Sequence, residues 1–457
     1  MYLNFSGPSP LSAPAMASSV QLESSRVSLR SYVRLVRSNR NFRRLWLAQI
    51  VSEIGDWFYC LAIYALLLQL TGKASSVAIA LVVQVLPQTF IGPTAGVVND
   101  RISRKRVMIT TDLVRGAIVL SMLLVRSASS VWLIYPLLLA ETLAAAFFEP
   151  ARTSVIPNIA APEDLVLANT LSSTTWSMNL VLGAALGGVA GALLGRDAVF
   201  ILNALSFVAS AALIAGMKFA EPHTAHSEPF RVRELAAFAP ILEGIRYVRR
   251  EKRLLVSMLA KAGIFVIGPS WVIFTVMGRR DFPVHWHNLD PQRGAMLGMS
   301  LLMGARGLGA FIGPLAMAPW AGRDQRRLRL AILLGFIAEG AGYFALGTAG
   351  SLPVACAWIV LAHFGGSIIW VFSTTLLQLT TDDRFRGRVF AADTSFAMLN
   401  LAVGAFLAGR FMDLGYSARS VASVTGLLML FPTVGWAWFT LSKSDDAELV
   451  SGADPAG

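Results

Sequence analysis

The chain has 457 residues, 55% of them hydrophobic and 14% charged, with a mean hydropathy of +0.60. A soluble domain carries about 25% charged residues, so this deficit, with its repeated long apolar runs, excludes an ordinary soluble fold and indicates a polytopic membrane protein. The net charge of +12 does not point to nucleic acid either, because the cations are spread through short connectors, where they report topology.

Residues 1–40 read as a disordered cytoplasmic tail. The opening MYLNFSGPSPLSAPAM lacks the apolar core of a secretory signal, and Met16 is an alternative start. Twelve apolar runs follow, near 45–71, 75–98, 107–125, 131–150, 168–194, 198–217, 254–278, 294–318, 329–348, 352–378, 389–412 and 419–441. Each is long enough to cross a hydrocarbon core of about 30 Å as a helix. Strands are excluded, since an open sheet edge cannot persist in lipid. The longest polar break, 219–253, holds EPHTAHSEP and then a basic amphipathic stretch ending at Arg253. It separates a six-span unit, 41–218, from a second, 254–441, and residues 442–457 form a C-terminal tail. The expected fold is an all-α integral membrane protein, with twelve transmembrane helices in two pseudo-symmetric six-helix bundles.

Lys and Arg in the connectors set the direction. With the N-terminus inside, inner segments hold 28 of these cations and outer segments eight. Both termini are therefore expected in the cytoplasm, with the chain in the cell (inner) membrane. The two cysteines, Cys60 and Cys356, lie inside apolar runs, so neither a disulfide framework nor a metal site is expected, and no cofactor. Of the five histidines, His223, His226 and His287 lie in connectors, and no paired metal or nucleophile constellation suggests an enzyme. Neither tail is long enough to bury the core of a sensor domain.

The halves echo each other weakly. FFEPARTSVIPNIAAPEDLVLANTL follows span four and LQLTTDDRFRGRVFAAD follows span ten, each an acid-plus-cation connector on the inner side. Two similar six-span halves suit a rocker-type secondary transporter. Between spans two and three, Gly96, Asp100, Arg101, Arg104 and Lys105 resemble the signature loop of the major facilitator superfamily. NFRRLWLAQIVSEIGDWFYCLAI before it, Asp112 and Arg115 after it, and RFRGRVF at 384–390 are similar to the drug and siderophore exporters, including macrolide-efflux and enterobactin-export proteins. The resemblance runs from Asn41 to Leu441. The loop departs from the pattern at Ser103, where a second glycine is usual, and GPLAMAPWAGRDQRR in the second half lacks an aspartate at the equivalent place.

The resemblance implies a gating latch in the first half. Asp100 would face the positive N-terminus of span eleven, near Arg386 and Arg388, while Arg101, Arg104 and Lys105 pair with acids at helix exits, Glu149 beside Arg152 foremost. Gly96 would let two helices approach closely. Asp112 and Arg115, spaced i,i+3, can pair on one face and join that network.

Charges deep in spans are costly and so informative. Asp56, Glu141 and Glu339 lie about 15 Å from a span end at 1.5 Å per residue; Arg306 and His363 are similarly deep, and Lys261 is nearer the cytoplasm. The resemblance places spans one, four, seven and ten around a central cavity. Asp56 and Glu141 are thus the proton-coupling candidates, with Glu53, Lys261, Arg306 and His363 as cavity candidates and Glu339 demoted. Trp57, Phe58, Tyr59, Trp370 and the Met296–Met303 neighbourhood would make the cavity apolar and accommodating.

In span five, GAALGGVAGALLG resembles the glycine-rich antiporter motif, but Ala184 replaces the proline that follows its first glycine. A bent gating helix and simple close packing both account for it. The function expected is proton-coupled export of a small amphipathic compound, a drug or siderophore, by a monomer in the bilayer. Uptake or lipid-type transport in the same fold is the alternative; a membrane sensor or enzyme is the reading from another class.

Overall fold

A computed structural model describes residues 29–222, 246, 255, 258–261, 267–285, 290–322, 324–381 and 383–441. The 1–28 tail, most of the 219–253 linker and the C-terminal tail lie outside the described residues. The described residues contain no strand. The helices are α1 (Leu29–Ser38), α2 (Arg40–Thr71), α3 (Ala74–Arg101), α4 (Arg104–Ser121), α5 (Ile134–Ile159), α6 (Leu165–Leu194) and α7 (Arg196–Ala215). After the linker come α8 (Ile267–Arg280), α9 (Pro291–Ala321), α10 (Gln325–Leu346), α11 (Leu352–Thr380), α12 (Asp383–Asp413), α13 (Ala418–Leu428) and α14 (Leu430–Leu441). Among the described residues, nine helical segments are long and apolar enough to cross a membrane by length and composition.

Local chemistry fixes many of the ends. Asn39 caps α2 by accepting from the Phe42 N–H, and Gly72 ends it in the left-handed region at φ 68°. Ser103 caps α4 by accepting from the Arg106 N–H. That cap is a local reason for serine where the signature loop usually has glycine. Asp290 caps α9 ahead of Pro291, and Asp324 caps α10.

Chain reversal at each connector puts the 72–73 turn at one end of the molecule, here the Gly72 end, and the 102–103 turn at the other, the Ser103 end. Within residues 29–215, α2 packs on α6 and α7, α4 on α5 and α7, and α3 on α5. Within 267–441, α11 packs on α9 and α10, and α8 on α9, α12 and α13. Two long contacts join these groups, α6 with α9 and α3 with α12.

The glycines of α6 serve close packing. A Cβ on Gly183 would lie 2.7 Å from the Trp57 side chain, one on Gly187 would lie 3.0 Å from Phe58, and one on Gly188 would overlap Ser300 of α9. This stripe lets α6 touch α2 on one side and the second group of helices on the other. Many large apolar side chains, Leu193, Leu205, Phe431 and Trp438 among them, point outward, as a lipid-facing surface requires.

Candidate functional site

Arg115 is the centre of the site. Its Nη2 donates to Asp56 Oδ2 of α2 at 2.9 Å, and its Nε donates to Glu141 Oε1 of α5 at 2.8 Å. Asp112, one turn back on α4, lies 4.0 Å away, and the guanidinium carbon sits 4.2 Å from the Phe207 ring centre on α7. One guanidinium therefore ties four helices and faces three carboxyl groups. Arg115 and Glu141 are nearly closed off, with side chains 7% and 9% exposed, while the Asp56 side chain is 34% exposed. Asp56 is thus the member of the cluster most open to water or a ligand. Its Oδ1 is itself buried and has no hydrogen-bond partner among the described residues.

Asp56, Arg115 and Glu141 line a cavity of about 340 Å³ with Trp57, Tyr64 and Trp271. Trp57 of the first group and Trp271 of the second stack at 5.7 Å with an interplanar angle of 5°. Tyr64 meets Trp271 edge-on at 5.9 Å, and its hydroxyl donates to Gln84 Oε1 at 2.6 Å. The Arg306 guanidinium lies 4.3 Å from the Trp271 ring, and its Nη1 has no hydrogen-bond partner among the described residues. The cavity wall is thus aromatic with a carboxylate and a guanidinium at its edge. That chemistry can hold an amphipathic molecule and place a protonatable group against it.

A second network lies nearer the Ser103 end. Arg152 holds Glu149 at 2.8 Å and Gln49 Oε1 at 3.0 Å. Gln49 donates to Glu53 at 2.8 Å, and Asn179 donates to the other Glu53 oxygen at 2.7 Å. Glu53 is therefore fully engaged in a brace across α2, α5 and α6, and it does not line the 340 Å³ cavity. Around the signature loop, Arg104 donates to the carbonyls of Asn99 and Ser154 at 3.2 and 2.9 Å, and Lys105 Nζ to that of Met217 at 2.7 Å. Ser103 donates to Glu221 at 2.5 Å. These contacts stay within the first group of helices. Glu149 pairs with Arg152, and Arg101 is the last residue of α3. Gly96 and Asp100 lie in the last two turns of α3, and Arg386 and Arg388 in the first turns of α12. The side-chain placement of Gly96, Asp100, Arg386 and Arg388 lies outside what is described.

In the second group, Lys261 is buried on an ion pair with Asp393 of α12, and its ammonium lies 4.6 Å from the Trp370 ring centre. His363 meets Tyr343 Oη at 3.0 Å and packs edge-on against Phe274. Glu339 is 1% exposed beneath Gly366, away from the cavity. Asp393, Gln84, Phe207 and Trp271 join these networks only through the folded geometry. Asp393 carried a usable signal: a buried lysine in one span calls for an acid in another. Asp112 and Arg115, read from sequence with the latch, stand instead with Asp56 and Glu141, because Arg115 reaches those two at 2.9 and 2.8 Å and Asp112 only at 4.0 Å.

The model of one protein family, described as a transmembrane secretion effector of the MFS type, matches residues 36–455. The chain belongs to the major facilitator superfamily. Among similar proteins, the MFS-type transporter YfiS of Bacillus subtilis is 27% identical, over 82% of this chain and 88% of YfiS. Macrolide efflux protein A of Streptococcus pyogenes is 25% identical, over 81% of this chain and 89% of that protein. The transporter stands with the drug-efflux branch. Solved structures agree in fold. A POT family transporter in complex with 5-aminolevulinic acid superposes with a TM-score of 0.69 at 9% identity, covering 88% of this chain and 96% of that one. A bacterial homologue of the lysosomal transporter Spinster, inward-facing and unoccupied, gives 0.63 at 13% identity, covering 90% and 98%. The protein is a multi-pass membrane transporter of the secondary type.

Proposed function

We propose that this transporter exports a small amphipathic compound by alternating access, driven by protons that load on the Asp56–Arg115–Glu141 cluster. The observation that carries the reading is one buried guanidinium held by carboxylates from two other helices, with Asp56 open to the cavity. A proton arriving on Asp56 turns a carboxylate into a neutral carboxyl group and removes the charge that holds Arg115 Nη2. Arg115 then rests on Glu141 and Asp112 alone, and the tie between α2 and α4 slackens. Water reaching the cluster from the other side takes the proton back and restores the tie. Protonation is thus converted into helix position, as an antiporter requires.

The architecture proposed with it is two six-helix bundles, 41–218 and 254–441, joined by the 219–253 linker, working as a monomer in the cell membrane. Both termini lie in the cytoplasm, so the Ser103 end is the inner end. The described contacts between the two groups of helices include Trp57 with Trp271 in the middle and Asp413 with Ala74 at the Gly72 end. That supports a state with its outer end shut. The Gly96–Lys105 loop, with Asp100 towards the start of α12, is the inner latch of the opposite, outward-open state. The aromatic wall and the likeness to macrolide efflux protein A support an amphipathic cargo.

A growth-inhibition panel in an efflux-deficient host, with and without the gene, selects the compound, and proteoliposomes under an imposed pH gradient test its movement. Accumulation against the compound's gradient that follows the proton gradient supports the proposal. Movement indifferent to the proton gradient removes proton coupling.

A further inference from the structure

Asp413, the last residue of α12, stands at the Gly72 end against the start of α3. The first N–H groups of a helix have no partner within it. Lys73, in the N-cap position of α3, supplies no capping side chain. Asp413 fills that role from the other half of the molecule. Its Oδ1 accepts from the Ala74 N–H at 2.7 Å and its Oδ2 from the Ser75 N–H at 3.2 Å. On the other side of the same turn, Arg280 at the end of α8 donates to the Gly72 carbonyl at 3.1 Å, where α2 stops. Peptide dipoles leave partial positive charge at the start of α3 and partial negative charge at the end of α2. The anion and the cation each meet the helix end that attracts it. One turn before Asp413, Gly409 brings the backbones together: a Cβ there would lie 2.8 Å from Ala78 Cβ and 2.9 Å from Ser75 Cα.

We infer that Asp413 and Arg280 form a clasp on the 72–74 turn that holds the outer end shut and must release for the transporter to open outward. They are gate-positioning residues. The paired contacts on α3 and α12 give the clasp a mechanical sense. These helices run antiparallel, so the acid in the last turn of each one, Asp100 on α3 and Asp413 on α12, lies towards the N-terminal end of the other. Rocking the halves engages one end as it frees the other. The inner member of that pair rests on the function proposed above, whereas the clasp stands on its own contacts.

Double electron–electron resonance on the full chain in lipid nanodiscs tests it, with spin labels at Ser129→Cys and Thr348→Cys on a Cys60→Ser, Cys356→Ser background. Both labelled positions are exposed at the Gly72 end, Ser129 in a short 3-10 helix and Thr348 in a turn, one in each half. Asp413→Ala and Arg280→Ala are each expected to move the distance distribution towards a longer component, by about tenfold in the ratio of open to closed for Asp413→Ala. Asp413→Glu should retain the short component. Ser417→Ala, which removes a cap inside one half at the same end, should leave the distribution as in the parent. If Asp413→Ala is not recovered folded, Asp413→Asn, which keeps the shape and loses the charge, makes the same comparison. A distribution unchanged by loss of the Asp413 charge, or moved equally by Ser417→Ala, would overturn the clasp. The readout needs neither cargo nor proton gradient, so it stands or fails apart from the export chemistry.

Discussion

Replacing Arg115 by methionine is the most informative single perturbation of the site. Arg115 is 7% exposed and makes two charged hydrogen bonds, to Glu141 at 2.8 Å and to Asp56 at 2.9 Å. Its loss leaves buried carboxylates without their cation, and breaking a buried pair from one side costs about 3–5 kcal/mol. The contact of the guanidinium with Phe207 at 4.2 Å adds to that loss. At a few degrees per kcal/mol, the melting temperature in detergent should fall by on the order of 10 °C. If stranded carboxylates are the cause, Arg115→Met combined with Asp56→Asn and Glu141→Gln should regain most of it, since neutral groups of similar shape avoid the uncompensated charge. The assay is the melting temperature of the purified single and triple variants, with transport measured alongside. Transport should be absent in both. A single variant as stable as the parent, or a triple variant no better than the single, would refute the electrostatic account of the cluster.

The other expectations follow the same logic. Lys261→Met and Asp393→Asn should each lower the melting temperature, whereas Lys261→Met with Asp393→Leu should recover much of the loss; purely additive effects would mean the two do not interact. Gly188→Val puts a side chain where Ser300 of α9 already sits. It should cost about 1–3 kcal/mol of overpacking and weaken closure of the outer end, read from the same pair of spin labels. Asp100→Asn should reduce transport while membrane abundance stays near that of the parent, and unchanged transport rates would remove the inner latch.

Much of the fold was legible because membrane helices announce themselves through length and apolarity. The run read at 75–98 appears as α3 at Ala74–Arg101, and that at 352–378 as α11 at Leu352–Thr380. The ends differ by a few residues because caps such as Asn39 and Ser103 extend helices beyond their apolar stretch. Depth along a span also marked Asp56 and Glu141, since ionised groups there need a reason. The partner was harder to foresee. An i,i+3 spacing suggests that Arg115 serves Asp112, yet rotamer reach and helix packing send it across to α2 and α5. Glu53 shows the opposite limit: its position a turn from Asp56 suggested a cavity role, and Gln49 and Asn179 absorb both its oxygens. The Lys261–Asp393 pair and the Asp413 cap join residues more than 130 and 330 positions apart, and no periodicity encodes such meetings.

The most direct test of the central claim is proton-gradient-driven movement in proteoliposomes, comparing the parent with Asp56→Asn, Glu141→Gln, using a compound selected by the growth-inhibition panel. The account predicts that an imposed pH gradient drives accumulation by the parent and that the double variant, inserted at equal density, loses it. A double variant that still accumulates the compound in response to the pH gradient would contradict the assignment of coupling to this cluster.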